Sequence, residues 1–333
     1  IANPDGFSRE VLASLDGLEA RIKLLPLFSK RVEIASFTLV KPDILLERLA
    51  DGRVNWQIGT APTDAAPIAE PTGPFKRDGR YANVDPSLGA FRIEDGQLLF
   101  VDAVANTRRE LTDINIQLAL PDMTETLGLD GTLQLDGDPL TLDVSMDSPR
   151  AFLDGRETRL VAKIETDGAD LSLDGTLPPG TEIVFNGSVK GALSDVALIK
   201  GFLTEPVPAL DLLTRAELSA ELSSDGGDGA TQFSNLELTA EGEAFELSFA
   251  GDGQYDDALS LTGRYDLSAT NIAALAKPFA PELTGLDAIG ATSSTGTVAL
   301  NGTDISVTDM TATTKSAALT GTVRGAFQTR GDA

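Results

Sequence analysis

The sequence predicts an all-β protein built as a long antiparallel sheet with one continuous apolar face. Two observations predict it. Apolar residues alternate with polar or small ones in short runs: Leu133 and Leu135, then Leu140, Leu142 and Val144, then Leu171 and Leu173, then Phe245, Leu247 and Phe249, then Leu259 and Leu261. A period of two puts one face of each strand in an apolar environment and leaves the other wet. Turn-forming residues lie between the runs, as in Asp136-Gly137-Asp138, Asp154-Gly155, Asp167-Gly168, Asp225-Gly226-Gly227 and Gly251-Asp252-Gly253. Such Asp-Gly steps between alternating runs mark hairpins.

In chain order, Asn3 to Gly6 reads as a turn, and Ser8 to Ser14 as a helical turn or two. Strands are expected from Leu18 to Leu24, at Val32–Ile34 and Phe37–Leu39, and from Ile44 to Leu49, with Pro26 and Pro42 as breaks. Residues 1–58 form a first block, closed by Asn55-Trp56-Gln57. Residues 59–80 are rich in Pro and Ala without periodicity and read as a flexible linker. Residues 81–193 form a first β segment, in which Phe91 to Asp102 reads as a hairpin turning at Asp95-Gly96, with Ile114, Ile116 and Leu118 sharing one face of the next strand. The rhythm breaks over 194–215. Apolar spacing from Asp195 to Leu203 predicts a helix capped by Ser194 or Asp195 and ended by Pro206 and Pro208. A second β segment spans 216–333, interrupted by a short helix over 271–277 that stops before Pro278. Both helices are expected to cap sheet edges, where unpaired backbone groups need cover.

Composition excludes several classes of chemistry. Lys and Arg number 26 against 51 Asp and Glu, a formal net charge of −25, which repels nucleic-acid phosphates and anionic membrane surfaces. The plain reading of this acidity is solubility for a chain with a large apolar face. Histidine and cysteine are absent, so no His-based triad, Cys nucleophile, zinc site or iron–sulfur site can be built. No run approaches the ~20 apolar residues of a membrane-spanning helix, and no signal-peptide pattern is present. The start at Ile1-Ala2-Asn3-Pro4 reads as a fragment or processed product.

Other motifs have plain readings. The Asp-Gly clusters lack the spacing of an EF-hand loop or a glycine-rich nonapeptide array, so they read as turns and no metal site is expected. Pairs such as Glu241 and Glu243 suit glycoside hydrolysis only in form, since 51 acids generate such pairs by chance. Ser29-Lys30 lies in a predicted turn with no supporting constellation. Trp56, the lone Trp, reads as a core anchor at a strand end, with a partner or membrane contact as the alternative. No enzyme activity and no cofactor are expected.

An ordered series of motifs over residues 3–120 adds a resemblance. Asn3-Pro4-Asp5-Gly6-Phe7-Ser8, Leu15-Asp16-Gly17-Leu18, Leu24-Leu25-Pro26-Leu27-Phe28, Lys41-Pro42-Asp43-Ile44-Leu45-Leu46-Glu47-Arg48 and Asp51-Gly52-Arg53-Val54-Asn55-Trp56 come first. Ile93-Glu94-Asp95-Gly96-Gln97-Leu98 and Leu111-Thr112-Asp113-Ile114 follow. Together they resemble the AsmA family. The resemblance implies an elongated, twisted sheet curled into an apolar groove, similar to that of bridge-like lipid transfer proteins. It further implies a periplasmic body tethered to the inner membrane of a Gram-negative cell by an N-terminal anchor missing from this sequence, and a part in phospholipid traffic to the outer membrane.

Such a groove binds acyl chains by non-directional burial, at about 0.8 kcal/mol per methylene, with phospholipid or a similar amphiphile as partner. Its candidate lining is Leu98, Phe100, Leu133, Leu135, Leu171, Leu173, Phe185, Phe245, Leu247, Phe249, Leu259 and Leu261. The same alternation also suits a closed β core. The alternative function is therefore an assembly factor that contacts other envelope proteins, including outer-membrane proteins, through sheet edges and carries no lipid.

Overall fold

The computed structural model describes residues 1–22, 34–56, 89–179, 184–196, 198, 208–224, 230–277, 284–314 and 317–326. The linker over 59–80, the Ser29-Lys30 pair, the Asp225-Gly226-Gly227 turn and most of the helix expected over 195–203 lie outside them. The described residues form 18 strands, and the chain divides into two units. Unit 1 holds Ile1–Asp167 with Pro179–Glu182, and unit 2 holds Gly168–Pro178 with Ile183–Ala333.

Unit 1 contains β1 (Ala13–Ser14), β2 (Gly17–Ile22), β3 (Ile34–Val40), β4 (Asp43–Arg48), β5 (Gly89–Asp102), β6 (Thr107–Leu120), β7 (Leu127–Leu135), β8 (Asp138–Met146) and β9 (Thr158–Thr166). From β5 to β9 each strand pairs antiparallel with the next. Apolar positions then align across the strands. Leu39 lies opposite Ile93, Ile93 opposite Ile116, and Leu142 opposite both Gly131 and Ile164. Phe37 and Phe91 occupy paired positions of β3 and β5 and stack with ring centroids 5.9 Å apart.

Two pairings in unit 1 are parallel. β5 runs alongside β3 over Ala90–Glu94 and alongside β4 over Gln97–Asp102. A parallel pair forces the chain back to its starting end before the second strand begins, which needs a crossover of a dozen residues or more. Arg48 and Gly89 are 41 positions apart in the sequence, more than such a crossover needs.

The expected hairpin at Asp95-Gly96 is instead one uninterrupted strand, β5. Asp95 adopts φ +52 and is a β-bulge, not a turn. Its amide donates to Asn115 Oδ1 at 3.1 Å. Gly96 is buried and has no room for a side chain: a Cβ there would lie 2.7 Å from Ile93 Cγ2 and 3.2 Å from Pro42 Cγ. Lys41, at φ +48 in the bend between β3 and β4, and Asp113, at φ +49 in β6, lie at the same level on either side of β5. The three left-handed residues form a crease across adjacent strands.

The segment from Ser8 to Ser14 is not helical. It bends, bridges Ala2 to Val11 and ends in β1, because its backbone pairs with Ile1 and with the edge of β4. One helix was not expected, α1 (Pro149–Leu153). Ser148 caps it by accepting from the Ala151 amide, and Pro149 supplies the preset φ of the first turn. Asp136-Gly137 is a hairpin turn as expected, with both residues at positive φ.

The fixed part of the N-terminal block is Asn55, 1% exposed. Its carboxamide accepts from the Glu47 amide at 2.8 Å and donates to the Leu45 carbonyl at 2.9 Å. It therefore substitutes for a peptide unit on the edge of β4, next to the stretch that β1 pairs. Beside it Glu47, also buried, accepts from the amide and hydroxyl of Ser8. Trp56 is 39% exposed and packs its ring 6.2 Å from that of Phe100.

At the β5–β6 turn, the Ala105 amide holds the Asp102 carboxyl below its ordinary range. The Val104 amide and the charge of Arg48 add to this, and burial opposes it. A depressed acid stabilises the fold above its unfolded value, about 3.9, and loses that contribution as pH falls through the folded value. Asp102→Asn keeps the turn acceptor and removes the titration. Thermal melts of Asp102→Asn from neutral pH down into this acid range are expected to show a shallower loss of stability than those of the parent protein.

Unit 2 is a meander of nine strands: β10 (Ala169–Leu177), β11 (Asn186–Leu193), β12 (Arg215–Ser223), β13 (Thr231–Gly242), β14 (Phe245–Asp256), β15 (Ala258–Ala269), β16 (Thr292–Asn301), β17 (Asp304–Thr314) and β18 (Ala318–Ala326). Each pairs antiparallel with its successor. Asn235 in β13 and Asp309 in β17 are bulges at positive φ. They shift the alternation by one residue, so that Phe233 and Leu236, three apart, share a face. Gly251-Asp252-Gly253 is not a turn but the middle of β14.

The long connections β11–β12 and β15–β16 leave the sheet at the same strand ends as the tight β13–β14 turn. The first carries a 3-10 turn (Pro208–Leu212), the second α2 (Ile272–Ala276), capped by Asn271 accepting from the Ala274 amide. Leu212, Leu213, Ile272 and Leu275 from these connections pack on Ala240, Phe245 and Ala269. α2 therefore covers the apolar ends of central strands rather than an unpaired sheet edge, since its apolar side chains have that cluster to bury against.

Candidate functional site

The apolar face of unit 2 is concave and encloses a groove of about 760 Å³. Its lining comes from seven successive strands, β11 to β17, and is built in rows fixed by strand register. One row runs through Leu222, Phe233, Gly253, Leu261, Leu300 and Ile305. A second runs through Leu236, Gly251, Gly263, Val298 and Val307, and a third through Leu218, Leu238, Phe249 and Tyr265. Among the described residues no charged side chain lines it. The groove is open: Leu218 is 40% and Leu259 37% exposed, values that a closed core would not leave on its inner face.

Glycine pairing shapes the floor. Gly251 and Gly263 lie opposite each other, and the Phe249 ring lies over both. A Cβ on Gly263 would lie 2.6 Å from Phe249 Cζ, and one on Gly251 would lie 2.9 Å from the same atom. The missing side chains leave the space that the ring fills. Gly263→Val should evict the ring and lower unfolding stability by about 1–3 kcal/mol, the usual cost of overpacking, as read by denaturant titration.

The structure distributes the sequence candidates over four places. Leu247, Phe249, Leu259 and Leu261 line the groove. Phe245 does not: at 8% exposure it sits in the covered cluster with Ala240 and Ala269. Leu171 and Leu173, on β10, and Phe185, just before β11, belong to unit 2 but lie outside the lining. Leu98, Phe100, Leu133 and Leu135 are in unit 1, on β5 and β7, where Leu133 is buried and Leu98 and Leu135 flank Leu111 of β6. Sequence reasoning missed Leu218, Leu238, Val298 and Val307. Each lies in an alternating run, so the signal was present at lower amplitude.

One polar contact borders the groove. Tyr265, in the lining, is 2.9 Å from the hydroxyl of Ser294, itself 8% exposed. The Tyr265 ring crosses Gly296, where a Cβ would meet Cε1 at 3.1 Å. Among the described residues no group of three or more His, Cys, Asp or Glu could hold a metal ion. Among them, too, no helix is long and apolar enough to cross a membrane.

The sequence model of the AsmA family matches residues 1–171, half of the chain. The chain belongs to the AsmA family. The match covers nearly all of unit 1, including the crease and the Asn55 edge, and the groove strands β11 to β17 follow the matched residues. Among curated proteins and among solved structures nothing matches. Membership of the AsmA family supports a general role in envelope and outer-membrane biogenesis and suggests an envelope protein; the AsmA family is not known as an enzyme family.

Proposed function

We propose that the protein carries phospholipid, or a similar amphiphile, with its acyl chains in the unit 2 groove, and that it passes such lipids between membranes in support of outer-membrane biogenesis. On this reading it works in the periplasm from a tether in the inner membrane. One observation carries the proposal: an open groove of about 760 Å³ lined over seven strands with no charged side chain among the described residues. Its volume falls in the range of about 300–1,000 Å³ common for small-molecule sites. Each methylene buried there contributes about 0.8 kcal/mol, and the exchange is passive, with acyl chains in the groove and head groups in water.

Native mass spectrometry of the protein purified from a Gram-negative host, followed by lipid extraction, tests this. Phospholipid at a defined stoichiometry supports it. A clean apo mass from folded protein, even after incubation with phospholipid vesicles, refutes it.

The rival reading, an assembly factor that holds other envelope proteins by a sheet edge, draws on β18. Leu319 and Val323 on that strand are 58% and 52% exposed, and among the described residues β18 pairs on one side only. Substitutions there that lose a protein partner and keep lipid would favour it.

A further inference from the structure

The Tyr265–Ser294 contact has a hydrogen to spare. Two hydroxyl groups carry two O–H donors, and one of these is spent between them at 2.9 Å. Among the described residues neither side chain makes another hydrogen bond. Ser294 is nine-tenths buried, whereas Tyr265 lies in the groove wall, so the spare donor is available on the groove side through the tyrosine. Water can satisfy it while the groove is empty. Acyl chains lying over the wall would exclude that water, and a buried donor without an acceptor is costly.

We infer that Tyr265, positioned by Ser294, donates a hydrogen bond to a neutral carbonyl oxygen of the bound molecule, the ester carbonyl of an acyl lipid. This rests on the groove reading above and adds a polar recognition point to it. A neutral acceptor fits better than a phosphate. Among the described residues no Lys or Arg lines the groove to balance a phosphate charge, and the chain as a whole carries −25. The tyrosine stands where the open groove meets the covered strip, since Leu267, the next residue of β15 on the same face, already packs on the Phe245 cluster. The ester linkage, rather than the chain ends, is placed at this margin, and the acyl chains extend over the apolar rows.

The test compares an ester-linked phosphatidylcholine with its ether-linked counterpart of identical alkyl chains. Each competes against a fluorescent lipid bound to the full chain. The parent protein should prefer the ester by about fivefold, the worth of one net hydrogen bond. Tyr265→Phe should abolish the preference by weakening the ester while leaving the ether unchanged. As a second readout on the unmodified protein, the carbonyl stretch of isotope-labelled bound ester should shift to lower frequency. Equal affinity for both lipids in the parent protein, a preference that survives Tyr265→Phe, or an unshifted stretch would overturn the inference while leaving the groove intact. Binding of neither lipid would overturn the groove reading itself.

Discussion

Replacing Leu238 and Leu261 together by Asp is expected to strip the protein of bound lipid while leaving it folded. Both side chains are half-buried in the groove wall, Leu261 in the first row and Leu238 in the third, on either side of the glycine row. Because the groove is open, each carboxylate stays hydrated in the empty protein, so the fold loses little. An acyl chain laid over two carboxylates must desolvate them, at several kcal/mol per charge. Occupancy should fall on the order of 100-fold or more, read as the lipid-to-protein ratio after extraction, with the far-ultraviolet spectrum unchanged. The matched control is Glu237→Gln with Glu246→Gln. These exposed positions of β13 and β14 point to the opposite face, and lipid should be retained. Equal retention in the Asp variant and the control would place any lipid outside the groove.

Asn55→Ala is expected to destabilise unit 1 by on the order of 3 kcal/mol. It orphans two buried backbone groups, the Glu47 amide and the Leu45 carbonyl, at about 1–3 kcal/mol each. Asn55→Asp separates the two contacts: the acceptor for Glu47 survives, while the donor to Leu45 becomes an oxygen facing an oxygen. It should be at least as damaging. Chemical denaturation reads both, and a loss below 1 kcal/mol in either would show that the β4 edge is held by other contacts.

The strand content was legible because burial on one face writes a period of two into the chain, and nothing else competes for that signal. Groove residues such as Phe249 and Leu261 fall out of the same rule. Phe245, two residues from Leu247 on the same face, does not. Periodicity assigns a face but is blind to what lies over it, and the cover comes from Leu212 and Ile272, remote in sequence. Asp95-Gly96 misled for a related reason. A left-handed Asp followed by Gly is compatible with a hairpin turn or a bulge, and only the pairing partners of β5 decide between them. The parallel pairing of β4 with β5 left no local mark, since register between distant strands is a tertiary property. Asn55 stood beside the conspicuous Trp56, yet the small amide is the buried one, because a polar side chain that completes a strand edge carries no hydrophobic signature.

The meander of unit 2 obeys a parity rule. The two covering connections, β11–β12 and β15–β16, each follow an odd-numbered strand, so the cover they supply falls on one margin of the sheet. Inserting a hairpin, two strands at a time, preserves that parity and widens the sheet by about 10 Å without moving the cap at Phe245. Inserting a single strand would send each downstream connection to the opposite margin. Such a sheet can grow or shrink by hairpin duplication and deletion while its apolar face stays continuous, so the capacity of the groove is set by a countable number of repeats.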